Sequence, residues 1–250
     1  MSKSGGLGQL FMLGGYDLSG DTAAIDQAAG PRGVFDNKQG INSSAMQRIL
    51  GRADGRLAWS LHFNDATDAE HDALSTLPTA DVIALWAMSS TRGATAATLL
   101  GKQINFDWNR SADGDLQGSV EVLANGSPLE WGVMVTAGVE THASATSSTS
   151  LDENGVTGSS AEGARAVLQV QDIDSGTPTF VLEDSADDSA WATLISFTAV
   201  AAASAPTAER KTVTGNVDRY LRATTTGTFV NADFAIWIQR GTTEDDEDLS

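Results

Sequence analysis

The segment 101–138, GKQINFDWNRSADGDLQGSVEVLANGSPLEWGVMVTAG, decides the fold class. Ile104, Phe106 and Trp108 alternate with Gln103, Asn105 and Asp107, the two-residue period of a strand with one dry and one wet face. Val120, Val122 and Ala124 alternate with Ser119, Glu121 and Leu123, and Leu129, Trp131, Val133 and Val135 alternate with Glu130, Gly132, Met134 and Thr136. Asp113-Gly114 and Asn125-Gly126 tolerate positive φ, so both gaps read as hairpin turns. The expectation is a three-stranded antiparallel meander whose apolar phase is core and whose polar phase faces outward.

Toward the N-terminus, Leu57, Trp59, Leu61 and Phe63 form another alternating strand after the Asp54-Gly55 turn. Asp68 reads as an N-cap, with Glu70 and Asp72 in the first helical turn, Leu74 and Leu77 as the buried stripe, and Pro78 as the stop. The run VIALWAM, 82–88, is apolar in both phases and predicts a strand covered on both faces. Residues 14–56 hold few bulky apolar side chains and cannot close a core alone, with only a short helical turn expected near 44–50. Leu10, Phe11, Met12 and Leu13 are too short a run for a signal-peptide core or a membrane span, and read as an arm that pairs with something.

Toward the C-terminus, 140–163 is rich in Ser, Thr, Ala and Gly and reads as a linker. Short strands then recur near 166–171, 179–184, 191–197, 211–214, 219–225 and 233–240, the spacing of a small sandwich. The expected division is 1–147, 148–243 and an acidic tail, 244–250. The fold class is mainly β (α+β): an N-terminal sandwich or half-barrel with one flanking helix, followed by a C-terminal β-sandwich.

The 250 residues carry 15 Lys and Arg against 33 Asp and Glu, a net charge of −18, which disfavours binding to nucleic acid or anionic membrane. With no cysteine there is no disulfide, thiol nucleophile or zinc-thiolate site. His62, His71 and His142 lack metal-type spacing. Glu183, Asp184, Asp187 and Asp188 depart from a calcium loop, because Ser189 and Ile195 stand where Gly and Glu are needed. No phosphate loop or nucleophile elbow is present, so no catalytic residue, metal or cofactor is expected. Trp59, Trp108 and Trp131 fall on inward phases and read as core.

Several stretches together resemble one family: Ala53-Asp54-Gly55, Leu77-Pro78-Thr79, the run Lys102 to Asp107, and Asn125-Gly126 followed by Leu129-Glu130-Trp131-Gly132. They are similar to the major tail (tail tube) protein of long-tailed phages of actinobacteria, over roughly a hundred residues. The resemblance implies a virion protein of the tail, assembled in the host cytoplasm, stacking as hexameric rings into a tube through which DNA passes without specific binding. It implies other tail proteins as partners and no membrane. The later segments AWATLISFTAV and FAIWIQR look like the galactose-binding-like or immunoglobulin-like sandwiches appended to such tubes. On this reading Gln103, Asn105, Asp107, Ser119, Glu121, Glu130 and Thr136 are candidate lumen residues, acidic enough to repel phosphate. Leu10 to Leu13 form the candidate inter-ring arm. The alternatives are the plain solvent face of a monomer, and a virion decoration protein whose C-terminal sandwich binds host-surface glycan.

Overall fold

The computed structural model describes residues 7–36, 48–153 and 159–241. In chain order the elements are β1 (Leu10–Leu13), β2 (Tyr16–Asp17), β3 (Thr22–Ala29), β4 (Arg32–Asp36), β5 (Arg48–Ala53), β6 (Arg56–His62), α1 (Glu70–Leu74), β7 (Val82–Ala87), β8 (Thr95–Arg110), β9 (Leu116–Ala124) and β10 (Glu130–Met134). There follow β11 (Glu140–His142), β12 (Leu151–Asp152), β13 (Ala164–Gly176), β14 (Thr179–Ser185), β15 (Ala192–Ser196), β16 (Thr207–Val213), β17 (Tyr220–Thr226) and β18 (Phe229–Arg240). The fold is mainly β, as the alternation implied.

One sheet runs β16-β13-β18-β10-β8-β7-β1-β2 and curls back on itself. The seam is closed by the fully buried Gln169 of β13. Its amide donates to the Ile83 carbonyl at 2.9 Å and accepts the Gly15 N–H at 2.6 Å. Gly15 has φ +98° and lies so close that a Cβ would stand 2.3 Å from the Thr207 nitrogen, so no side chain fits there. Inside this curl Leu10, Met12, Leu85, Met134, Val167 and Trp237 form one core cluster, and the Trp237 indole N–H reaches the Ala96 carbonyl at 3.1 Å.

The alternate side chains of β13 and β18 point away from that cluster. Leu168, Val170, Phe234 and Ile236 pack against Phe180, Leu182 and Leu221 of the second sheet, β12-β17-β14-β15, completing a sandwich. The run Phe234 to Ile238 is therefore apolar throughout because both of its faces are covered. β7 behaves likewise, with Leu85 facing the curl and Ala84 the third cluster.

That third cluster lies beneath an open branch ordered β3-β6-β9-β8. Leu57, Trp59, Leu61, Val120 and Val122 form its dry face, and Leu74 of α1 packs on it. β4 and β5 continue the β3–β6 ladder beyond a break at Gly30-Pro31 and Asp54-Gly55, pairing only with each other among the described strands. Pro31 has no N–H to extend a ladder, and its carbonyl instead accepts the Asp54 N–H at 2.8 Å.

Several local expectations are corrected. The meander does not close, because β10 pairs with Thr95 to Thr98 of β8 rather than with β9. β8 is 16 residues long, so its first half serves the curl and its second half the open branch. A bulge between Gln103 and Asn105 shifts the phase, burying Gln103 and exposing Ile104 to 49%. In β10 the phase is inverted: Glu130 and Met134 are buried and Trp131 is 44% exposed. The N-cap position is Ala69 rather than Asp68, and the helix ends at Leu74, before Pro78. The residues read as a linker carry β11 and β12, tied to β18 and β17. The boundary drawn at 147/148 is bridged by β10–β18 pairing within the first sheet. Of the helical turn read near 44–50, residues 48–50 open β5 and the rest lie outside the described residues, as does the acidic run 244–248.

Candidate assembly surface

The outward face of the open branch is built by register. Asn105 of β8 stands opposite Glu121 of β9, and Asp107 opposite Ser119. Glu121 and Ser119 in turn face Ala58 and Ser60 of β6. Asn105 donates to Asp107 at 2.8 Å, Arg56 donates to Glu121 at 2.8 Å, and the Ser60 hydroxyl lies 3.4 Å from Asp26. Four of the seven expected face residues, Asn105, Asp107, Ser119 and Glu121, are thus brought together on one surface. Its acids Asp26, Asp107 and Glu121 outnumber the one cation paired there, Arg56, so the charge on this face is negative.

The other three do not belong to it. Gln103 is buried, and its amide donates to the Leu74 carbonyl at 2.9 Å, tying α1 to β8. Thr136 is fully buried, donating to the Gly138 carbonyl at 2.8 Å and accepting the Ile236 N–H at 3.1 Å. Glu130 is 3% exposed and points into the curl, where Arg165 of β13 meets it at 2.5 Å and Arg210 of β16 at 2.8 Å. A carboxylate can be buried there because two guanidiniums replace its water. This three-strand ion cluster was invisible in the sequence, since alternation marks every charged residue as outward.

The four residues read as an inter-ring arm are likewise corrected. Leu10, Phe11, Met12 and Leu13 are all buried, paired antiparallel with β7 from Leu10↔Ala87 to Leu13↔Ala84. They are core, because each face of β1 meets a separate cluster: Leu10 and Met12 one, Phe11 and Leu13 the other.

Both lateral edges of the open branch lack a partner strand among the described residues. β3 pairs only with β6, and β8 beyond Gly101 pairs only with β9. Unpaired strand edges are templates for association.

Two other polar sites have a structural explanation. Glu140 accepts from Arg92 and from the Ser148 hydroxyl, and His142 lies 3.1 Å from the same hydroxyl and 2.8 Å from that of Thr225. The Ser148 proton is directed at the carboxylate, so the imidazole is not its base, and the network fastens the 140–153 segment to β17. Burial depresses the His142 pKa, with Glu140 opposing the shift. Glu70 is fully buried; one carboxylate oxygen accepts the Asn64 N–H at 2.9 Å and the other has no hydrogen-bond partner among the described residues. Its pKa is pushed up to about 7, chiefly by burial and further by Asp21, against the Asn64 hydrogen bond.

No protein-family model and no curated protein matches the chain. Among solved structures, the crystal structure of the SPP1 Dit protein, a hub of the adsorption apparatus in phages infecting Gram-positive hosts, aligns over 92% of this chain and 99% of its own. The identity there is 10% and the TM-score 0.32. The phage P2 baseplate in its activated conformation with Ca aligns over 93% of this chain and 98% of its own, at 7% identity and TM-score 0.33. Backbone agreement at that level carries no inference about this chain.

Proposed function

We propose that the chain is a structural protein of a phage tail, its open branch joining those of neighbouring copies to form the wall of a tube. One observation carries this reading: a four-stranded sheet has a dry face on its own core, a polar acid-bearing face turned outward, and two unpaired edges. Lateral joining of β3 of one copy to β8 of the next removes both edges, and a rotation that closes makes a ring. The joined outer faces would line a lumen with Asn105, Asp107, Ser119 and Glu121, a surface that repels a phosphate backbone instead of holding it. The resemblance of 53–132 to tail tube proteins supports the same reading.

The decoration reading draws no support from Trp191, whose ring already carries the Arg222 guanidinium at 4.2 Å, itself paired with Glu183 at 2.7 Å. Electron microscopy of the concentrated full chain decides between the readings. Rings or tubes of uniform diameter are expected. A protein that stays monomeric with tail components present, and binds glycan saturably, would overturn the tube reading.

A further inference from the structure

Three pairs among the described residues set an Asp or Asn directly before a glycine: Asp54-Gly55, Asp113-Gly114 and Asn125-Gly126. In that order the glycine nitrogen can reach the side-chain carbonyl carbon, with no Cβ to obstruct the approach. Two of the pairs are closed by hydrogen bonds. The Gly55 N–H donates to the Asp54 carboxylate at 2.8 Å, and the Gly114 N–H donates to the Ser111 carbonyl at 3.0 Å. The Gly126 N–H has no hydrogen-bond partner among the described residues.

Asn125 and Gly126 are both exposed, in the turn between β9 and β10, and a Cβ on Gly126 would meet nothing within 4 Å. The chain is anchored just before this point, where the Ala124 N–H bonds the Gly55 carbonyl at 2.8 Å and the Asn125 N–H bonds the Leu100 carbonyl at 3.0 Å. The Asn125 carboxamide is held separately. Its nitrogen donates to Asp81 Oδ1 at 2.9 Å, the same oxygen that Lys102 Nζ meets at 2.8 Å. Hydrogen bonds from Lys102 and then Asn125 keep the Asp81 carboxyl below its usual range.

We infer that Asn125 is a site of spontaneous deamidation whose rate is restrained by Asp81. The Gly126 nitrogen attacks Cγ of Asn125. An N–C bond forms, the Gly126 proton passes to water, the Cγ–Nδ2 bond breaks and ammonia leaves. The cyclic succinimide then takes up one water and opens at either carbonyl, leaving aspartate or isoaspartate at position 125, with no change of oxidation state. Asp81 opposes the first step, because its hydrogen bond pins a carboxamide that must turn before Cγ can meet the nitrogen. The product sets a carboxylate against Asp81 in place of a donor. Its isoaspartate form also adds one carbon to the backbone of the turn that leads from the open branch into the curl.

The test incubates the full chain in mildly alkaline buffer made with heavy-oxygen water, and fragmentation mass spectrometry locates the incorporated oxygen. One heavy oxygen at position 125, accumulating faster than at positions 54 and 113, is expected. Asn154-Gly155, outside the described residues, is read separately in the same spectra. Asp81→Ala should speed the reaction at position 125 about three- to tenfold, the weight of one hydrogen bond, with hydrogen exchange of the Asn125 N–H unchanged. An unlabelled position 125, or labelling at 54 or 113 that keeps pace with it, overturns the site. An unchanged rate in Asp81→Ala, or a faster rate accompanied by faster exchange of the Asn125 N–H, overturns the restraint.

Discussion

At the scale of single residues, charged side chains on strands of similar pattern have opposite roles. Glu130 is sealed between Arg165 and Arg210, so Glu130→Gln leaves two guanidiniums without their carboxylate and should cost about 3–5 kcal/mol in chemical denaturation. Asp107→Asn and Ser119→Ala, on the exposed face, should change stability by no more than about 0.5 kcal/mol. A cost near zero for Glu130→Gln would refute the cluster as a structural element. Glu70 supplies the pH dependence. Its folded pKa of about 7 exceeds the ordinary 4.5, so the folded protein holds this proton more tightly than the unfolded chain. Its contribution to stability is fully present below about pH 4.5 and is lost as the pH rises to about 7. Glu70→Gln should flatten the stability profile across that window, and an unchanged slope would assign the titration to another group.

At the scale of elements, the seam between β1–β2 and β13–β16 depends on one side chain. Gln169→Leu removes the partner of the Gly15 N–H and one partner of the Ile83 carbonyl, a loss of about 1–3 kcal/mol. Hydrogen exchange should show faster opening of β1 and β2 than of the distant β14 and β17. Uniform acceleration of every strand would mean that the seam has no local role. The apolar run Leu10 to Leu13 was legible as a segment that pairs with something, yet its partner is β7 of the same chain. Neither the bulge at Gln103/Asn105 nor the inverted phase of β10 was legible, because alternation counts residues and carries no mark of an inserted one.

At the scale of the molecule, the two halves share a sheet and a core. Residues 148–243 expressed alone would expose Val167, Ala235 and Trp237, which the intact protein buries against Leu10, Met12, Leu85 and Met134. Burial of a large apolar side chain is worth about 1.5–3 kcal/mol, so losing these contacts exceeds what a small sandwich can spare. That fragment should lack a cooperative thermal transition by circular dichroism. A cooperative transition, with a monomeric species by sedimentation, would show that the sandwich is independent. The glycan reading is therefore tested on the whole chain.

The sequence by itself determined the mainly β class, most strand positions, the doubly covered run 82–88, and the acidic balance. These follow from period and composition, which are local properties of the chain. Only the tertiary structure decided that Glu130 lies inside, that Trp131 lies outside, that β10 joins β8 and β18, and that β1 is core. The reason is physical: a charge goes inward when opposite charges from distant strands await it. Residues 35 and 80 positions away from Glu130 settle that, and no local pattern records them.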